Sequence, residues 1–395
     1  MWFGLPRTVI VLGWVSLFND LASEMVVPLI PILLASVLAG GPVALGLIEG
    51  VADAVAAMLK LWSGRHADQV RSHRKLLAVA GYSISNLVRP LIAFSAGWPM
   101  LLVLRSVDRV GKGIRSAPRD ALIADAVRAD MRGKAFGLHR AFDNGGAVAG
   151  SLVAAAALTL GLSLVQVIAW SALPGMLAVL LFAFGVGRTR QLAVVSNVPI
   201  RPLAWRDLHV RLRHYLILLA LFAFARASET FIVLRGHDLG MSTVNLLLLW
   251  ALLSLAKSMA ALRGGVLADS LGRLPVILVS WTGYAASFLM LALAGNEQAI
   301  WLVTLMFGVL AGLSEGAERA IVGDWINVEL RASAYGWYYW VTGLAAIPAG
   351  LFFGVIWHYC GARLAFACAG LLGSVVALLA WRLLYWRHKN PAAMP

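Results

Sequence analysis

Ser163 to Val186 reads SLVQVIAWSALPGMLAVLLFAFGV, a run without one charged side chain. As an α-helix it rises 1.5 Å per residue, and about 20 residues cross a hydrocarbon core of about 30 Å. Runs of this kind recur along the whole chain, near 8–37, 43–63, 75–96, 98–121, 134–159, 163–186, 213–236, 243–263, 274–295, 299–322, 333–357 and 362–385. The chain of 395 residues is 61% hydrophobic and only 13% charged, with a mean hydropathy of +0.81. A soluble domain carries about 25% charged residues, so this composition excludes a water-facing surface. The runs are long and helical rather than alternating ten-residue segments, which argues against an outer-membrane barrel. Fifteen tryptophans suit a protein that needs interfacial anchors. The expected fold is therefore all-α and polytopic, with about twelve membrane-spanning helices.

The net charge of +14 would suggest nucleic acid in a soluble protein. Here the basic residues alternate between connections. One set contains Arg65, Arg71, Arg74 and Lys75, then Arg128, Arg132 and Lys134, then Arg188, Arg190, Arg201, Arg206, Arg211 and Arg213. It continues with Arg263, Arg273 and Arg331, and the tail adds Arg387 and Lys389. The other set, around 38–43, 96–98, 160–163, 238–242, 295–299 and 358–362, has no Lys or Arg. Under the positive-inside rule both termini are expected in the cytoplasm of a bacterial-type inner membrane. No nucleic-acid partner is implied. The first apolar stretch contains Asp20 and Glu24 and is followed by no small-residue cleavage site, so it is expected to stay as a helix. Cys360 and Cys368 give neither a disulfide framework nor a metal spacing.

The chain also repeats itself. GRHAD (Gly64 to Asp68) returns as GVLAD (Gly265 to Asp269), and Gly81-Tyr82 as Gly283-Tyr284. Ala121, Asp125, Arg132, Ala135 and Gly137 return as Ala320, Asp324, Arg331, Ala334 and Gly336. Ser23-Glu24 in the first run returns as Ser228-Glu229 in the seventh. A constant order at nearly constant offset predicts two copies of a six-helix unit, a common plan for transporters. The expected organisation is an N-terminal bundle over 1–187, a cytoplasmic linker over 188–212, a C-terminal bundle over 213–386 and a tail over 387–395.

GVLADSLGR (Gly265 to Arg273) resembles the Major Facilitator Superfamily, which carries Gly-x-Leu-Ala-Asp-x-x-Gly-Arg after its second helix and often a degenerate copy after its eighth. In the first copy Gly64 and Asp68 match, while Arg71 stands at the second glycine. The resemblance implies a secondary carrier, monomeric, with this loop latching the cytoplasmic side through Asp68 and Asp269, beside Gly265, Gly272 and Arg273. RVGKGIRSA (Arg109 to Ala117) is similar to the family's fourth-helix motif, with Lys112 where glutamine is more usual. The fifth run resembles the family's antiporter motif only loosely. Gly146 and Gly150 keep a small-xxx-small spacing for close helix packing, but Ser151 stands where proline is expected.

Ionisable groups at membrane depth are costly and normally face a polar interior. In the fourth run Arg105, Asp108, Arg109, Lys112, Arg115 and Arg119 follow helical spacing, so most share one stripe. That stripe must meet water or carboxylates. Ser16, Asp20, Ser23 and Glu24 share a face of the first run, and Glu49 and Asp53 lie one turn apart in the second. Asp20, Glu24, Glu49 and Asp53 are the proton-coupling candidates, because neighbouring carboxylates in a low-dielectric site need not both be ionised. The solute candidates are Arg105, Asp108, Arg109 and Lys112, the i, i+3 pair Arg140 and Asp143, then Arg226, Glu229, Glu315 and Arg319. Pro28, Pro31 and Pro348 mark possible bends.

No Gly-x-x-x-x-Gly-Lys-Ser/Thr run is present, so an ion gradient is the expected energy source. The basic stripe favours a small organic anion or zwitterion, with export against proton entry as the expected direction. A multidrug or cation efflux carrier, with Asp20, Glu24 and Asp53 touching the solute, is the alternative. An intramembrane transferase and a non-transporting receptor are remoter readings. His66, His73, His139 and His209 have no Ser, Cys or metal-ligand partner at useful spacing, so no enzyme, cofactor or metal site is expected. The expected partners are the solute, protons and the lipid bilayer.

Overall fold

The structure, a computed structural model, describes residues 5–69, 73–128, 131–187, 204–326 and 331–386. The linker residues 188–203 and the tail from 387 onward lie outside the described residues. The first half contains α1 (Arg7–Glu24), α2 (Ile30–Ser36), α3 (Pro42–Gln69), α4 (Arg74–Leu91), α5 (Trp98–Ala126), α6 (Arg132–Thr159), α7 (Leu164–Trp170) and α8 (Ala172–Gly185). The second contains α9 (Val210–Ala225), α10 (Thr230–Asp238), α11 (Thr243–Leu271), α12 (Arg273–Leu293), α13 (Glu297–Asp324), α14 (Arg331–Cys360) and α15 (Ala362–Ala380). No strand occurs among the described residues.

By length and composition, 11 helical stretches of the described residues can cross a membrane. Three of them join two helices each: α1 with α2, α7 with α8, and α9 with α10. A twelfth helix, α5, fails an apolar criterion because of its charges, yet its 29 residues reach on the order of 40 Å. Chain contacts gather into two compact units. Among the described residues, one comprises 5–40, 51–187 and 241–251, and the other 41–50, 204–240 and 252–386. The first ends of α3 and α11 thus group with helices remote in sequence.

Within the first unit, small residues let helices touch backbone to backbone. A Cβ on Gly146 would stand 2.3 Å from the Leu17 carbonyl oxygen, and one on Gly150 2.4 Å from that of Leu21. These contacts join α1 to α6. Gly81 and Gly111 do the same for α4 and α5, each 2.5–2.6 Å from the other's carbonyl oxygen once a Cβ is added. In the second unit Gly46 of α3 and Gly350 of α14 meet in this way. Aromatic stacking fills its core: Phe222 lies parallel to Trp281 at 4.2 Å, and Phe288 packs on Tyr284, Phe307 and Phe366.

Two of the three crossings that join two helices are interrupted by several residues that are not α-helical, whereas α7 and α8 are separated by Ser171 alone. The first breaks after Glu24, passes through a 3-10 turn over Val27–Leu29 and resumes at Ile30, where Pro28 and Pro31 remove backbone donors. The seventh breaks after Ala225 and resumes at Thr230. Both breaks fall at the repeated Ser-Glu pair. Pro348, by contrast, lies inside the continuous helix α14.

Replacing Gly146 with Ala is expected to lower the thermal unfolding midpoint in detergent by an amount equivalent to about 1–3 kcal/mol, because the new methyl meets backbone that cannot yield. Gly145→Ala, one residue away with nothing within 4 Å of the new carbon, should show no loss. Equal midpoints for the two variants would refute the packing argument.

Candidate functional site

The charges of α5 separate into paired and unpaired groups. Asp108 is 1% exposed and accepts from Arg89 Nη2 of α4 at 2.9 Å and from Arg105 Nη1 at 3.3 Å. Arg89 also donates to Asn86 Oδ1 at 2.9 Å and to the Asn19 carbonyl at 3.3 Å. Asn86 donates to Asn19 Oδ1 at 3.2 Å, and Asn19 donates to Asp20 Oδ1 at 2.9 Å. Further along α5, Arg115 donates to Ser85 Oγ at 2.7 Å and covers the Tyr82 ring at 4.7 Å. Ser85 in turn donates to the Asp108 carbonyl at 2.9 Å. These groups satisfy one another and tie α1, α4 and α5 together. Arg119 bonds its neighbour Asp120 at 2.9 Å.

Arg109 and Lys112 are different. One helical turn apart, they have no carboxylate at ion-pair distance among the described residues, and Arg109 Nε is a buried donor without a partner. The charges around Lys112 are Arg109, Lys60, Asp20 and Arg115, three of one sign with hers and one carboxylate. Across from them on α1, Asp20 has Asp143, Lys112, Arg115 and Glu24 as its electrostatic neighbours. Asp143 of α6 accepts a short hydrogen bond from Ser16 Oγ, lies 3.7 Å from His139 Nδ1 and 3.9 Å from Arg140 Nη1. Glu24, at the break of the first crossing, accepts from Trp250 Nε1 at 2.6 Å.

The second unit has its own polar cluster at the break of the seventh crossing. Lys257 Nζ donates to Glu229 at 2.6 Å. Arg226 stands in the non-helical turn, with Glu318, Tyr338, Tyr284 and Glu229 as charged or phenolic neighbours. Glu318 is buried, accepts from Trp281 Nε1 at 2.8 Å, and its carbonyl accepts from Tyr215 Oη at 3.0 Å. Glu315 and Arg319 pair at 2.8 Å on one face of α13.

The sequence candidates are thus brought together unequally. Asp20, Arg109, Lys112, Asp143 and Glu24 converge in the first unit, and Arg226 with Glu229 in the second. Glu49 is buried while Asp53 is exposed, and the two fall in different units. Asp269 is exposed at the end of α11, and Arg273 pairs with Asp324 at 2.5 Å. The corresponding first-half pair is Arg74 with Asp125, also at 2.5 Å. Gly64 packs on Ala117, Gly265 meets nothing within 4 Å, and Gly272 has φ of +90°. The Asp68 side chain lies outside the described residues. Sequence reasoning missed Arg89, Asn86, Asn19, Trp250, Lys257's bond to Glu229 and the two repeated Arg–Asp pairs. A signal existed for Arg89, a single arginine inside the apolar run 75–96, and for the pairs, since Asp125 and Asp324 already matched in the repeat.

The family model of the Major Facilitator Superfamily matches residues 12–258 and 228–394. An uncharacterized MFS-type transporter of Methanocaldococcus jannaschii is 31% identical over 388 residues, covering 96% of this chain and 94% of the relative. Among solved structures, the nucleoside transporter NupG superposes with a TM-score of 0.78 at 13% identity, covering 96% of this chain and 100% of that one. The human organic anion transporter MFSD10 gives 0.67 at 17% identity, covering 95% and 99%. At such identities the structures share a fold.

Asp108→Asn should destabilise the protein by about 3–5 kcal/mol, since Arg89 and Arg105 would then be buried without their counter-charge. Thermal unfolding in detergent reads this directly. A midpoint equal to that of the parent protein would show that Asp108 is not the anchor of the network.

Proposed function

The chain belongs to the Major Facilitator Superfamily, and from that premise we propose that it is a proton-coupled secondary carrier that exports a small organic anion or zwitterion. The observation that carries the reading is the adjacent pair Arg109 and Lys112. Two cationic groups held at membrane depth without a carboxylate of their own are held at a cost. A negatively charged solute group would neutralise them, and a guanidinium offers two parallel donors to a carboxylate or phosphate. Asp20 and Glu24, on the neighbouring helix, supply the proton-binding carboxylates of this proposal. The two six-helix bundles over 1–187 and 213–386, the linker over 188–212 and cytoplasmic termini in an inner membrane complete the reading, as a monomer. The charge asymmetry of the loops supports the orientation.

The relatives do not choose the solute. One solved structure is that of a nucleoside transporter and another that of an organic anion transporter. The choice between an anion and a cation rests on this chain's own basic stripe.

Proteoliposomes with an acidic lumen test the proposal. The expected result is accumulation of p-aminohippurate, an anion, or glycine betaine, a zwitterion, with none of the cation tetraphenylphosphonium. Arg109→Ala should remove the accumulation while leaving the unfolding midpoint unchanged. Accumulation of tetraphenylphosphonium would assign the cation-efflux alternative. Accumulation under an alkaline lumen alone would reverse the direction. Unimpaired transport by Arg109→Ala would reject the site.

A further inference from the structure

One buried ionisable side chain has no place in the solute site or in the network around Asp108. His139 of α6 is 4% exposed, yet its Nε2 has no hydrogen-bond partner among the described residues. Its other nitrogen, Nδ1, faces Asp143 Oδ2 one turn further along the same helix, at 3.7 Å. The second oxygen of Asp143 accepts from Ser16 on α1. Ser16 lies one turn from Asp20, and Asp20 and Asp143 are electrostatic neighbours. Asp20, Ser16, Asp143 and His139 therefore form a line of proton-exchanging groups that leaves α1 and runs down α6.

The direction of that line follows from helix geometry. α6 begins at Arg132, so His139 lies about 10 Å and Asp143 about 16 Å from that end at 1.5 Å per residue. The imidazole stands between Asp143 and the Arg128–Lys134 connection, which is cytoplasmic in the orientation proposed above. The charged groups around the ring are Arg119 and Asp120 from α5, and Arg140 and Asp143 from α6.

We infer that His139 and Asp143 are the cytoplasmic leg of the proton path, with His139 passing protons between Asp143 and water. The inference rests on the proton-coupled reading and adds a route to it. The step balances without any other reactant. Nδ1 takes a proton from the Asp143 carboxyl, Nε2 gives one to water, and rotation of the ring then turns the bare Nε2 towards Asp143 and the protonated Nδ1 towards water for the next transfer. One proton moves and nothing is oxidised or reduced. Imidazole suits the task because its two nitrogens exchange donor and acceptor roles. The Nε2 that no protein group occupies is the atom water must reach. In this scheme His139 relays protons and does not touch the solute.

A purely structural role predicts something else. If His139 only donates to Asp143, an asparagine amide, whose nitrogen takes the place of Nδ1, should substitute for it. His139→Asn in proteoliposomes distinguishes the two. At equal pH on both sides, exchange of labelled for unlabelled p-aminohippurate or glycine betaine needs no net proton movement and should stay within about twofold of the parent protein. Accumulation driven by an acidic lumen should fall about tenfold or more, the usual loss when a proton-transfer group is removed. Accumulation equal to that of the parent protein would overturn the relay and leave the proton-coupled reading standing. No gradient-driven accumulation in the parent protein would overturn both. If His139→Asn fails to fold, His139→Gln takes its place.

A second measurement needs no solute. Diethyl pyrocarbonate, which reacts with imidazoles that water can reach, should modify His139 in the parent protein in vesicles, as read by mass spectrometry of the peptide. Complete protection of His139, while the exposed His73 is modified, would show that Nε2 never meets water and would overturn the inference.

Discussion

The buried polar network that joins α1, α4 and α5 depends on one carboxylate. Asp108 accepts from Arg89 and Arg105 in a medium where an uncompensated charge costs several kcal/mol. Its position is made possible by the glycines: Gly81 and Gly111 bring α4 and α5 close enough for Arg89 to reach across. The network then extends through Asn86 and Asn19 to Asp20, so the acid proposed to bind protons is positioned by the same bonds that hold the helices. The hydrogen bonds of Asp108 go to Arg89 and Arg105, while Arg109, its neighbour in sequence, acts on it only through its charge.

The two interrupted crossings carry the internal symmetry to the level of chemistry. Ser23-Glu24 and Ser228-Glu229 both sit where a helix gives way to irregular backbone, the arrangement by which carriers expose polar groups at membrane depth. Their partners differ. Glu229 is bonded by the ammonium of Lys257, whereas Glu24 is bonded by the neutral indole of Trp250. The repeat has therefore diverged in what its carboxylate is bonded to, a charged group in the second half and a neutral one in the first.

Most of the fold was legible because a bilayer imposes a length and a polarity that a sequence shows directly. The helix α5 was legible for the opposite reason, since helical periodicity identified its charges as a stripe despite its low hydrophobicity. The break of the first crossing was signalled by Pro28 and Pro31. That of the seventh had no proline, and only its alignment with Ser23-Glu24 pointed to it. Pairings between helices were the part sequence could not supply. Trp250 and Glu24 are 226 positions apart, and nothing in local spacing says that an indole near the start of α11 would reach the first crossing. Likewise, α5 spacing places Arg105 one turn from Asp108, but nothing in it says that Arg89 of α4 reaches the same carboxylate.

The repeated pairs Arg74–Asp125 and Arg273–Asp324 occupy corresponding places in the two halves. Both join the start of one helix to the end of the next, α4 to α5 and α12 to α13, and both aspartates are about half exposed. Ion pairs so placed contribute little to stability, about 0–1 kcal/mol, and weaken with salt. Their use is geometric. A carrier that alternates must keep each bundle rigid while its relation to the other changes, and a bidentate-capable arginine at the mouth of a helix pair restrains that pair where packing ends. The buried anchor at Asp108 and the half-exposed pair at Asp125 therefore join the same two helices at different depths.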